Sequence, residues 1–160
     1  MKLGLAIEEL HRSENHLHAT LLAVSDRHAA DHEVFHVARD IARWSDRHVQ
    51  ALAAIGHDYG LELDPEPDRS PGVLEAVRQT ASDLFGRRSE PGLVLLADLR
   101  HVHRVAAGVS LDWELLAQAA QGARKRELLE LAESCHPETL RQVKWANAKL
   151  KESATQALVS

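Results

Sequence analysis

The feature that most constrains this chain is a seven-residue recurrence of apolar side chains in four stretches, each broken at one point by an ionisable group. Seven residues make nearly two turns of α-helix, so each line marks a face that a helix should bury. The first line reads Ile7, Glu14, Leu21, with Leu3, Leu10, Leu17 and Val24 beside it. The second reads Val34, Ile41, His48, Ile55, with Ala38, Ser45 and Leu52 beside it. The third reads Leu96, His103, Ser110, Ala117, accompanied by Leu99, Ala106, Trp113 and Ala120. The fourth reads Leu129, His136, Val143, Leu150, and Glu133 stands one turn before His136 on the same helix face. An ionisable group on a buried stripe is costly unless something pairs with it, and a metal ion is one such partner.

Punctuation between the stretches sets the organisation. One domain is expected, because 160 residues support a substantial core but not two comfortable ones. Residues 2–30 and 31–59 read as a helical hairpin with a tight turn near 29–31, where Asp31 is an available cap, and with Gly56 and Gly60 as stop signals. Residues 60–92 read as a crossover, since the prolines and glycines of 60–72 forbid a continuing helix; a short accessory helix is expected over 73–85. Residues 93–121 and 123–158 read as the second hairpin. Gly108 and Ser110 are expected to bend its first helix, and Pro137 to kink its second.

Composition narrows the function classes. Aromatic content is 4% and net charge −5, with no basic stripe, so nucleic-acid binding is not expected. No apolar run reaches the length of a membrane span and no signal-peptide pattern opens the chain. The single cysteine, Cys135, allows no internal disulfide, which fits a cytoplasmic protein. Eleven histidines stand out against that background, and histidine is the commonest protein metal ligand.

Hairpin, long crossover, hairpin is the connection pattern of ferritin-like bundles. With Glu133-x-x-His136 in the last helix, the chain resembles the ferritin-like superfamily over nearly its whole length. The resemblance implies an all-α, up-down four-helix bundle and a metal site, iron preferred with zinc or manganese open. Glu14 matches the family's first-helix Glu, and Glu133 with His136 its fourth-helix motif. Two positions depart from the pattern: Ser45 precedes His48 where a carboxylate is usual, and His103 stands where a Glu is usual.

Rise per residue offers a test of convergence. Glu14 and His48 lie about 16 and 17 residues from the first turn, roughly 24 Å along the bundle, and His136 falls near the same height with His103 a turn or two off. The expected metal ligands are therefore Glu14, His48, Glu133 and His136, with His103 as a fifth ligand or a second-sphere partner. The competing expectation is that these groups bond one another, for instance Glu14 with His48, in a metal-free helical interaction module that forms a homodimer through Leu22, Phe35, Val49 and Leu116. His32-Glu33-Val34-Phe35-His36 matches the H-E-x-x-H pattern, but Val34 and not the histidines occupies the buried line, so it reads as part of a solvated, His-rich corner with His28. Asp98 and His101 are expected at the surface.

Overall fold

The computed structural model describes residues 2–69 and 90–160. Four α-helices carry the architecture: α1 (Leu3–Arg27), α2 (His32–Gly56), α3 (Pro91–Gly122) and α4 (Arg126–Val159), and no strand occurs among the described residues. None of these helices is long and apolar enough to cross a membrane. The accessory helix expected over 73–85 lies outside the described residues.

Helix ends follow local chemistry. Asp31 caps α2 by accepting the Val34 N–H at 3.0 Å, as its position after the turn suggested. A 3-10 turn, His57–Tyr59, extends α2, and Gly60 closes it at φ +73°, a left-handed conformation open to glycine at little cost. Between α3 and α4 the chain departs from expectation. Gly122 stays helical, and the left-handed residue is Arg124 at φ +56°. The Lys125 N–H donates to Ala120 O at 2.8 Å and the Arg124 N–H to Gln121 O at 3.1 Å, the two bonds of a Schellman cap.

Side-chain contacts fix how the helices run. Ser25 donates to the Phe35 carbonyl while Glu14 meets His48, so α1 and α2 are antiparallel. Ser13 meets Asp112 and Arg27 meets Asp98, so α1 and α3 are antiparallel too. Lys149 on Glu33 and Gln142 on the Ile41 carbonyl give the same sense for α2 and α4. The core of α1 holds Leu3, Ile7, Leu10, Leu17, Leu21 and Val24, as the first line predicted.

The last helix buries a different line from the one expected, whereas α3 buries most of its expected face. In α4 the buried seam is Leu128, Ala132, Cys135, Thr139, Gln142, Ala146 and Lys149, while Leu129, His136, Val143 and Leu150 flank it, half-buried. In α3 the expected Leu96, Leu99, Ala106, Ser110, Trp113 and Ala120 are buried, joined by Val102, Val109 and Leu116, while His103 and Ala117 are half-buried at the edge. Neither helix breaks where a bend was expected. α3 continues through Gly108 and Ser110, and α4 through Pro137. Pro137 is exposed, so the carbonyl it leaves unbonded one turn back, at Glu133, faces water.

Charged ties join the elements at the end away from the 123–125 turn. Asp98, expected at the surface, is only 2% exposed; its two oxygens take Arg27 Nη1 and His28 Nε2, each at 2.6 Å. Lys149 is buried against Glu33 at 2.9 Å, with Asp31 and Glu152 at 3.7 and 3.6 Å. Arg124 supplies a test of the turn chemistry. A left-handed non-glycine residue costs about 1–2 kcal/mol, and glycine loses about 0.4–1 kcal/mol more through unfolded-chain entropy. Arg124→Gly is therefore expected to stabilise the protein by roughly 0.5–1 kcal/mol in urea denaturation, the difference between those two costs. An unchanged or lower midpoint would show that the Arg124 side chain contributes something the backbone does not reveal.

Candidate functional site

Glu14 and His48 are brought together as the helical levels predicted. His48 Nδ1 donates to Glu14 Oε1 at 2.8 Å, and both side chains are fully buried. Trp113, from α3, donates its indole N–H to the same oxygen at 2.8 Å and sets its ring edge-on to the imidazole, with centroids 5.7 Å apart. The remaining ring nitrogen, His48 Nε2, donates to Glu138 Oε1 at 3.1 Å, and Arg47 Nη2 holds the second Glu138 oxygen at 3.0 Å. A continuous hydrogen-bonded line thus runs from Trp113 through Glu14, His48 and Glu138 to the exposed Arg47, drawing on all four helices.

The electrostatics of His48 follow from that enclosure. Burial alone would lower its pKa; the neighbouring Cys135 side chain and the Glu14 carboxylate bonded to it outweigh burial and push it up to about 10. His48 is therefore an imidazolium with a carboxylate on each ring nitrogen, and both N–H groups are donors. Above it on α2, Ser45 accepts from Gln142 Nε2 at 2.9 Å, so the position where the family pattern has a carboxylate is filled by a neutral bond to α4. One turn from Glu14, His18 is also buried, and desolvation lowers its pKa against the opposing pull of Asp46 and Glu14.

The other three expected ligands do not join this pair. Glu133 is exposed, because the buried seam of α4 lies on the neighbouring line. His136 is half-buried and turned toward α3, with Nε2 at 2.8 Å from Ser110 Oγ and 3.8 Å from Glu114 Oε1. His103 lines a shallow groove with Arg100, Arg104, Asn147 and Leu150. Glu14 and Glu138 approach the imidazole from opposite nitrogens, so the ring separates them and no common point lies between their oxygens. Among the described residues, no group of three or more His, Cys, Asp or Glu side chains is placed to hold a metal ion.

Two participants, Glu138 and Cys135, escaped sequence reading. Glu138 lies off the apolar line, just past Pro137, and nothing in its spacing marks it. Cys135 lies on the buried seam of α4, one position off the expected line, and neighbours His48 across the bundle. Trp113, which accompanies the third apolar line, has a buried indole N–H that requires an acceptor, and Glu14 is that acceptor. At the His-rich corner, His32 and His36 pack ring to ring at 4.4 Å, but His28 turns away to Asp98. His101, expected at the surface, is half-buried against His16, its ring 5.9 Å away.

No model of a known family matches the chain, and comparisons with curated proteins and with solved structures return no match.

The raised pKa of His48 makes a signed prediction. A group that holds its proton more tightly when folded adds stability that is complete below its ordinary value near 6.5 and is lost as pH rises through about 10. In an NMR titration the His48 ring signals should stay at their protonated positions from pH 5.5 to 8. A midpoint near the ordinary value would contradict the ion pair.

Proposed function

We propose that this chain is a ferritin-like bundle that works without a metal ion, as a helical interaction module. The observation that carries the reading is the closed state of the polar core: both nitrogens of His48 are engaged by carboxylates, and Glu14 is engaged in turn by Trp113. The ferritin-like assignment rests on connection order. A short turn joins α1 to α2, another joins α3 to α4, and the long stretch 57–90 links the two pairs. A positive imidazolium between two carboxylates occupies the kind of central position where a bundle of this type holds its cation.

The residues first considered for an interaction surface do not serve. Val49 and Leu116 are fully buried, and Leu22 and Phe35 are half-buried. Among the described residues, the large apolar side chains that face outward are Leu5, Leu111, Leu115 and Leu140, with Leu158 and Val159 at the end of α4. Their presence on outer faces supports a role in contact with another surface.

A second reading, metal binding with iron preferred over zinc or manganese, is favoured by one atom. Glu14 Oε2 is buried and has no hydrogen-bond partner among the described residues, so it is a carboxylate oxygen with a vacant lone pair. Under that reading a metal would displace the Nδ1 proton of His48 and draw on Glu14.

Elemental analysis and calorimetric titration with Fe²⁺, Zn²⁺ and Mn²⁺ separate the two. The interaction-module reading predicts less than about one-tenth of an equivalent bound at micromolar metal, and the same result for Glu14→Gln. Near-stoichiometric uptake that Glu14→Gln abolishes would establish the metal reading in its place.

A further inference from the structure

We propose that the groove between α3 and α4 at Arg100, His103, Arg104 and Asn147 binds a small phosphate monoester, at a site apart from the buried polar core.

The groove holds about 320 Å³ and is lined by Arg100, His103 and Arg104 from α3 and by Asn147 and Leu150 from α4. Arg100 and Arg104 stand one turn apart with His103 beside them, so two guanidinium groups and an imidazole leave one face of the helix. Four of the five lining side chains carry N–H donors, and none is a carboxylate. Lys144 and Lys151, both exposed, stand one turn to either side of Asn147 on the same face of α4, and the exposed Arg141 lies one turn beyond Lys144.

Nothing within the described residues answers these cations. Arg12, Arg27, Arg39, Arg43, Arg47 and Arg126 each pair with a carboxylate. Arg100, Arg104, Lys144 and Lys151 make no hydrogen bond or ion pair among the described residues. The acids nearest to them in sequence are committed elsewhere: Asp98 is buried against Arg27 and His28, and Glu152 stands 3.6 Å from the Lys149 ammonium. A chain of net charge −5 thus keeps an uncompensated positive cluster around a concave surface, where the potential is focused.

The donor set selects the ligand. A carboxylate offers two oxygens, and one guanidinium can satisfy both. Two guanidinium groups, an imidazole and a side-chain amide suit a phosphate, which presents three terminal oxygens and carries about −1.5 to −2 charge at neutral pH. The Leu150 wall and the Asn147 carbonyl are then left for the carbon skeleton and a hydroxyl of the ester. Small-molecule pockets begin at about 300 Å³, so the organic part is compact. The next exposed positions toward the 123–125 turn are Gly108, Leu111 and Glu114 on α3 and Leu140, Pro137 and Glu133 on α4. The cluster therefore stops short, and it offers no continuous track for the backbone of a nucleic acid.

The test is an NMR titration of the full, isotope-labelled chain at about 150 mM NaCl, with glycerol phosphate, inorganic phosphate and glycerol as probes. Glycerol phosphate should shift the amide signals of Arg100, His103, Arg104 and Asn147 with a Kd below about 1 mM. Inorganic phosphate should shift the same signals more weakly, and glycerol should shift none. Arg100→Ala with Arg104→Ala, two exposed changes checked for folding by circular dichroism, should weaken the Kd about tenfold or more. Arg100→Lys with Arg104→Lys keeps the charge but loses the planar fork, and should weaken it about fivefold. Arg124→Ala with Lys125→Ala removes the same charge at the far end of α3 and should leave the Kd within about twofold. Shifts spread over the other arginines, or a lysine variant that binds as tightly as the unmodified chain, would reduce the groove to diffuse charge and overturn the proposal. Tighter binding of oligothymidylate than of glycerol phosphate at the same residues would overturn it as well.

Discussion

The structure depends on a charged hydrogen bond buried where four helices meet. A carboxylate and an imidazolium taken out of water each carry a large desolvation cost, and neither would be tolerated alone. Glu14 and His48 stand 2.8 Å apart on antiparallel helices, so each is the answer to the other's burial. That requirement fixes register as apolar packing does not. A slip of one turn between α1 and α2 would exchange one leucine contact for another at modest cost, yet would strand two charges in the core.

The surrounding residues make sense as consequences of that pair. Trp113 fills the space beside the imidazole and spends its single donor on Glu14. Opposite, α4 presents Cys135, Thr139 and Gln142 in place of large aliphatic side chains, and Glu138 reaches the far nitrogen of His48. The small and polar seam of α4 is thus adapted to a charged centre. Its larger aliphatics, Leu129, Val143 and Leu150, sit at the edges of the seam, half-buried. Lys149 and Asp98 extend the same pattern to the far end, where buried charges are again paired across elements.

How much of this was legible depended on which residues made the core. In α1 and α2 the buried faces are built from Leu, Ile and Val, and their seven-residue lines placed Glu14 and His48 inward and at one level. The bundle, its four long helices and its two short turns were readable for the same reason. In α4 the letters misled, because Leu129, Val143 and Leu150 spell a stronger apolar line than Ala132, Cys135, Thr139 and Gln142. The line one position away was chosen, and with it Glu133 and His136 were turned inward when the helix turns them out or aside. In α3 the expected face is largely the buried one, and His103 sits half-buried at its edge. A hydrophobic pattern identifies the core face where the core is uniformly apolar. It fails where a polar centre requires its neighbour to be small or hydrogen-bonding. Asp98 was unreadable for a related reason, since its partners Arg27 and His28 belong to a different helix end and no local spacing reveals them.

The account stands most directly on the coupling between the two buried charges. A double-mutant cycle with Glu14→Gln, His48→Gln and the pair, measured by urea denaturation at neutral pH, isolates it. If each group is held by the other, either single change leaves an uncompensated partner, and the pair should be less destabilising than the sum by about 2 kcal/mol or more. Additivity to within about 0.5 kcal/mol would mean that the two side chains are stabilised independently, and that the Glu14–His48 bond does not organise the bundle.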